Sequence, residues 1–314
     1  MAPVRASGRD RSVRHIVEVG QFERAWVEQL FAHADSMRSV RASEGLLADR
    51  VLATLFYEPS TRTRLSFESA MLRLGGQVIS TENAREFSSA IKGETVEDTV
   101  RIVAGYADGI VIRHYELGAA GRAAAVSRVP VINGGDGPGE HPTQALLDLY
   151  TIHHELGTFD GLTIALVGDL RYGRAARSLA LLLGMSRDTR LIFVAPPAVP
   201  MGLDVKHALD RRGVAWRDTP DLASAMAESD VVYQTRIQRE RFATPEEARA
   251  AEGHYIIEAQ TMKNMKQEAV LLHPLPRVEE ISAEVDSDPR AAYFRQAENG
   301  VYVRMALLHE LLAQ

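Results

Sequence analysis

Ser60-Thr61-Arg62-Thr63-Arg64 sets three hydroxyls and two guanidiniums in consecutive positions, just after the apolar run 51–57 (VLATLFY). Apolar residues return at Phe67, Ala70, Met71 and Leu74, the spacing of a helix face, and Gly75-Gly76 closes the pattern. The spacing predicts a strand, a turn made of the cluster, and a helix from Ser66 onward. A helix's first turn has N–H groups without intrahelical acceptors at the positive end of its dipole, so it favours an anion. Hydroxyls and guanidiniums add directed donors, and a phosphate fits them. The competing reading is a Ser or Thr that caps the helix beside two solvated arginines. Arg113 and His114 follow a second apolar run, 109–113. A third, 129–133, leads into 134–144 (GGDGPGEHPTQ), which delivers His141 and Gln144 to a helix start. All of these fall at one sheet edge, and that convergence favours a binding site over isolated structural histidines.

The elements that must hold these residues follow from the alternation of short β-rich runs with helical patterns. Runs at 51–57, 77–81, 109–113 and 129–133 form one series; runs at 162–167, 190–195, 230–235 and 269–273 form a second. Stretches long enough for crossover helices separate them, which is the pattern of parallel sheets. The fold class is therefore α/β, with two parallel-sheet α/β domains and the active site in the cleft between them. The segment 142–156 (PTQALLDLYTIHHEL) starts with proline at a first helical position and carries an apolar stripe, so it links the two units. Residues 290–313 read as a helix interrupted at Asn299-Gly300, packing back on the first domain. The longest stretches without pattern are 82–94 and 236–248, lengths that are often functional.

Composition sets the limits. The chain has 314 residues, 46% hydrophobic and 25% charged, and a net charge of −6, which suits a soluble protein and not a general nucleic-acid binder. It has no cysteine, which excludes disulfides, thiolate catalysis and cysteine-ligated zinc, and the reading is a cytoplasmic protein. The basic start has no apolar core, so it is neither a signal peptide nor a membrane span, and residues 1–15 read as a flexible arm. No metal is expected: the ten histidines form no H-E-x-x-H pattern, and His153-His154 point to different helix faces. A dinucleotide-dependent oxidoreductase is disfavoured because 168–174 (GDLRYGR) lacks the G-x-G-x-x-G spacing.

Six motifs, in order and at fitting separations, carry a family resemblance: FYEPSTRTR at 56–64, KGET at 92–95, HPTQALLD at 141–148, GDLRYGR at 168–174, TRIQRERF at 235–242 and HPLPR at 273–277. Together they resemble the aspartate carbamoyltransferase catalytic chain, over residues 14 to 312. The resemblance implies carbamoyl transfer from carbamoyl phosphate to L-aspartate, the committed step of pyrimidine synthesis, without a cofactor. It implies that Ser60, Thr61, Arg62 and Thr63 bind the phosphate. Arg113, His141 and Thr63 would face the carbonyl oxygen, and Gln144 with the backbone near Pro274, Leu275 and Pro276 would take the amide. Arg174 would bind the α-carboxylate of aspartate, and Arg236, Gln238, Lys92 and Leu275 the rest of it. Glu58 would join Arg174 and Arg241 on domain closure. The implied domains are 16–148, joined by helix 290–314, for carbamoyl phosphate and 149–289 for aspartate. The implied assembly is a homotrimer in which Ser88 and Lys92 reach a neighbour's site, with room for a dimer of trimers, a regulatory chain or a dihydroorotase. No nucleic acid or membrane partner is implied.

The ornithine-specific relative typically has cysteine in place of the first proline of HPLPR; this chain has Pro274. Three positions depart from the family pattern: Glu140 stands where an amide is expected, Tyr115 and Leu117 where Pro and Glu are usual, and Ile91 where a basic residue is common. A carboxylate beside His141 is expected to raise its pKa or weaken anion binding. These departures keep two alternatives open, a paralogue acting on another acidic amine and a non-catalytic trimeric scaffold.

Overall fold

The computed structural model describes residues 14–84, 92–238, 242, 244, 246, 249 and 255–313. In the first domain β1 (Val51–Phe56), β2 (Gln77–Thr81), β3 (Gly109–His114) and β4 (Val131–Asp136) form a parallel sheet in the order β2-β1-β3-β4. In the second, β5 (Thr163–Val167), β6 (Arg190–Val194), β7 (Ala215–Thr219), β8 (Val231–Gln234) and β9 (Val270–Leu272) form a parallel sheet in the order β7-β6-β5-β8-β9. Strands β1, β3, β4, β5, β8 and β9 are buried along nearly their whole length, which explains their unbroken apolar runs: helices cover both faces. Strand β7 (AWRDT) is an exposed edge, and its polar sequence gave no strand signal.

Each sheet reverses its direction of build once. The chain runs outward from β1 to β2, then returns to the other side for β3 and β4; likewise it runs from β5 to β7, then returns for β8 and β9. The reversal lies between β1 and β3 in one sheet and between β5 and β8 in the other. At such a point the two loops leaving the strand ends diverge and open a crevice, where ligands of α/β sheets bind.

Helices α1 (Arg24–Met37), α2 (Thr61–Arg73), α3 (Val96–Val103), α4 (Ala119–Val126) and α5 (Pro142–Leu156) serve the first sheet. Helices α6 (Arg174–Leu183), α7 (Leu203–Arg211), α8 (Leu222–Glu228) and the short α9 (Ala259–Met262) serve the second. The last helix, α10 (Tyr293–Leu312), packs on α1, α2 and α5. It runs unbroken through Asn299 and Gly300, against the expected interruption. Asn299 is held by Arg38, which donates to its Oδ1 at 2.6 Å, and donates to Thr151 Oγ1 at 3.1 Å. A Cβ on Gly300 would lie 3.0 Å from Leu147 Cδ2, so the glycine is there for close approach of α10 to α5.

Helix α2 also differs from expectation. It starts at Thr61, not Ser66, with Ser60 as N-cap. The apolar pattern marks only buried positions, and Thr63 extends that stripe by one turn as a buried hydroxyl below Phe67. The hydroxyl and arginine cluster is therefore the first turn of the helix itself.

Candidate active site

A cleft of about 520 Å³ lies where the two reversal points face each other. From the first domain it is lined by Ser60, Thr61, Arg62 and Thr63 after β1, Arg113 at the end of β3, and His141 and Gln144 at the start of α5. The second domain adds Arg174 at the start of α6, Arg236 and Gln238 after β8, and Pro274, Leu275 and Pro276 after β9. Among the described residues its lining holds five arginines and no carboxylate, a composition that calls for an anionic occupant.

The 134–141 turn is held rigidly. Asn133 Oδ1 accepts from Gly135 N at 2.7 Å, and Asn133 Nδ2 donates to Val17 O at 2.9 Å and Asp136 Oδ1 at 3.2 Å. Gly135 has φ +113, and a Cβ there would lie 3.0 Å from Arg174 Cζ and 3.1 Å from Arg113 Nη1. Two guanidiniums thus pass where only glycine leaves room. Arg113 donates to Gly134 O at 3.2 Å and Arg174 to Gly137 O at 2.7 Å. Glu58 lies between them, 3.7 Å from Arg113 and 3.5 Å from Arg174.

His141 is the N-cap of α5 and is buried, with its Nε2 3.5 Å from Thr63 Oγ1 and its backbone N donating to Ser178 Oγ at 3.0 Å. Burial, then the charges of Arg174, Arg113 and Arg304, hold its pKa well below the ordinary histidine value, so the imidazole is neutral. This is opposite to the rise in pKa expected from Glu140. That carboxylate turns away and accepts from Val19 N at 2.5 Å, while burial raises its own pKa. Tyr115 stacks on His114, and His114 itself packs on Tyr57 and accepts from Glu116 N at 3.0 Å. His114 does not line the cleft.

In the second domain, buried Asp169 accepts from Tyr172 N at 2.8 Å and from Gln238 N at 3.2 Å, tying the loop before Arg174 to the one carrying Arg236. Arg62 and Arg236 face each other across the domains; burial and that second guanidinium lower the pKa of Arg62. The 273–276 turn depends on His273. Its Nδ1 accepts from Leu275 N at 2.8 Å, so its Nε2 carries the proton and donates to Glu280 at 2.8 Å. That contact holds Leu275, which lines the cleft, at φ +55, a conformation a leucine rarely adopts.

One expected residue falls elsewhere. Lys92 is exposed and does not line the cleft. Ser88 and Arg241, like Ile91, lie outside the described residues. Among the lining residues that were not anticipated are Ser66, Gln296 and Arg304. Arg304 is buried, donates to Ser66 Oγ at 2.7 Å, sits over the Phe67 ring, and has its pKa lowered to about 10 by burial. A desolvated cation beside other cations is an electrostatic debt that an anionic ligand relieves.

Comparison with known proteins bears on this geometry. The family model for the aspartate/ornithine carbamoyltransferase carbamoyl-P binding domain matches residues 14–154, and the model for the Asp/Orn binding domain matches residues 160–311. The chain belongs to the aspartate/ornithine carbamoyltransferase family. Within it, the carbamoyltransferase is 55% identical to aspartate carbamoyltransferase 1, chloroplastic, of Pisum sativum, over 99% of this chain and 82% of the pea protein. It is 56% identical to the chloroplastic aspartate carbamoyltransferase of Arabidopsis thaliana, over 95% of this chain and 77% of that one. Aspartate transcarbamoylase of Trypanosoma cruzi, in complex with carbamoyl phosphate and aspartate, superposes with a TM-score of 0.89 at 42% identity, covering 96% of this chain and 98% of that one. The chloroplastic relatives correct the cytoplasmic reading, which composition and the lack of cysteine could not have distinguished from a plastid.

Proposed function

We propose that the cleft transfers the carbamoyl group of carbamoyl phosphate to the amino group of L-aspartate, giving N-carbamoyl-L-aspartate and phosphate in pyrimidine synthesis. The observation that carries this is the pairing of a phosphate-sized helix start on one domain with two arginines on the other, across a cleft that no carboxylate lines among the described residues. Backbone N–H groups and hydroxyls of Ser60, Thr61 and Thr63, with Arg62, hold the phosphate. Arg113, His141 and Thr63 face the carbonyl oxygen, where negative charge grows as the amine attacks; donors fixed there favour the transition state over the ground state. The neutral state of His141 suits it to donate one hydrogen bond without a charge of its own. A C–N bond forms, the C–O bond to phosphate breaks, and the departing phosphate takes the amine's proton, so no protein base is needed. Gln144 and the backbone at Pro274 to Pro276 take the carbamoyl amide.

Arg174 and Arg236, with Gln238 and Leu275, bind the two carboxylates of aspartate, a task for bidentate guanidinium. Glu58, already between Arg113 and Arg174, draws the domains together as substrate enters, with Arg241 as a further partner. Residues 16–148 with helix 290–314 form the carbamoyl-phosphate domain, and 149–289 the aspartate domain. A homotrimer completes the site. The exposure of Lys92, outside its own cleft, suits a side chain given with Ser88 to a neighbour. A dimer of trimers, a regulatory chain or a dihydroorotase would build on that trimer. The chloroplastic relatives favour a plastid as its location.

The test is carbamoyl transfer by the purified chain at saturating carbamoyl phosphate, with L-aspartate and L-ornithine as acceptors. Aspartate is the expected acceptor. Transfer to ornithine, or to neither, would overturn this reading.

A further inference from the structure

Beneath the cleft floor, Asp148 on α5 is fully buried and gathers groups from three elements. Its Oδ1 accepts from Gln144 Nε2 at 2.8 Å and from Gln296 Nε2 of α10 at 2.6 Å; its Oδ2 accepts from the Tyr233 hydroxyl of β8 at 2.7 Å. The orientation of Gln296 is fixed independently, because its Oε1 accepts from His273 N at 2.9 Å, leaving its NH2 for Asp148. Asp148 Oδ1 is the acceptor for both amides, so the Gln144 group that faces it is the NH2, and the Gln144 carbonyl is left for the cleft. A glutamine in a cleft otherwise flips between donor and acceptor faces at little cost, and Asp148 removes that freedom.

We propose that Asp148 is a positioning residue for the carbamoyl amide: it holds the Gln144 carbonyl toward the substrate NH2 and ties it, through Tyr233 and through Gln296 and His273, to the second domain and the 273–276 turn. This rests on the carbamoyl-transfer reading above and deepens it. Asp148 connects groups that, by that reading, contact the same substrate amide from two sides, Gln144 on one and the Leu275 turn on the other.

The energetics agree with a role other than stabilisation. Burial raises the pKa of Asp148 to about 7, against the three donors and Arg304, the charged group that faces it from α10. Between its ordinary value of 3.8 and about 7, the folded chain holds a proton that the unfolded chain has released. Stability therefore falls as pH rises through that window, and at neutral pH the residue is a burden on the fold.

The experiment compares equilibrium binding of carbamoyl phosphate and acetyl phosphate without aspartate. The two differ by CH3 for NH2, so the ratio of their dissociation constants reads the amide contact alone. N-(phosphonacetyl)-L-aspartate, bound in a Trypanosoma cruzi relative, has no NH2 at that place and serves as control. Asp148→Leu is expected to lower the preference for carbamoyl phosphate over acetyl phosphate on the order of 10-fold while the control keeps its affinity, and Asp148→Asn, which retains one acceptor, to keep most of that preference. An unchanged ratio in a folded Asp148→Leu variant overturns the proposal. Should that variant not fold, Gln144→Glu decides. It sets two carboxylates together that can hold position only by sharing a proton, so the preference for carbamoyl phosphate should persist at low pH and vanish at high pH. A preference independent of pH overturns the proposal. A wild-type chain that binds neither carbamoyl phosphate nor the control would instead sink the carbamoyl-transfer reading.

Discussion

On the first sheet the cleft wall sets Arg62 and Arg113 among backbone and short side chains: the first turn of α2, the hydroxyls of Ser60 to Thr63, and the imidazole of His141 set as an N-cap. On the second sheet it is made of long side chains, Arg174 and Arg236, that reach in from loops anchored by Asp169. The same topological reversal builds both crevices, so the difference lies in what finishes them. A wall of backbone donors is fixed before ligand arrives and adds little entropy cost on binding, which suits the group that must be oriented for bond breaking. Arginine side chains have more freedom and can follow a substrate as the domains close. Damage to the first wall should therefore act on the chemical step, and damage to the second on acceptor binding.

Four substitutions or conditions would break or sharpen that contrast. The largest effect is expected from Arg113→Ala, which removes a donor to the reacting carbonyl: kcat should fall on the order of 100- to 1000-fold with KM for aspartate little changed, as steady-state kinetics would read. Next, Arg236→Ala removes charge-assisted hydrogen bonds to the acceptor. It should lower kcat/KM for aspartate roughly 30-fold while leaving carbamoyl phosphate affinity intact. If instead Arg236→Ala weakened carbamoyl phosphate as strongly as aspartate, the division between the walls would be wrong.

Gly135→Ala sits where the walls meet and forces a side chain into φ +113 against both guanidiniums. It should destabilise the fold by about 1–3 kcal/mol, read as a lower urea midpoint, and impair both substrates together. The smallest effect is on pH dependence. His141 resists protonation when folded, so between 6.5 and its depressed value the unfolded chain binds a proton that the folded one refuses. Stability should therefore fall as pH drops through that window. His141→Gln should reduce the difference between urea midpoints at pH 7 and pH 5.5.

Much of the first wall was legible in the sequence, because its chemistry is written in contiguous residue types. The Ser60 to Arg64 cluster, the turn ending in His141 and the strands behind them all carry local signals. The helix start was misread by one turn and more, since Thr63 is buried yet polar, and apolar periodicity passes over it. The second wall was legible only through the resemblance: Arg174 and Arg236, taken alone, look like surface arginines. What escaped altogether sits inside helical stripes. Gln296 and Arg304 on α10 and Asp148 on α5 occupy polar positions that sequence assigns to solvent, and only the crossing of α10 over α2 and α5 turns the first two toward the cleft and buries the third beneath it. Strand β7 was missed for the opposite reason, an exposed edge whose side chains carry no apolar mark.

The place of α10 in the chain has a consequence for how the protein is made. Every strand of both sheets is synthesised before Gln296 and Arg304, and α1, α2 and α5 meanwhile lack the helix that covers them. A nascent or prematurely terminated chain would expose that apolar surface, the kind of species chaperones and proteases recognise. Because the helix that shields the first domain also brings Gln296 and Arg304 to the cleft, incomplete molecules would be inactive and marked for removal by the same defect.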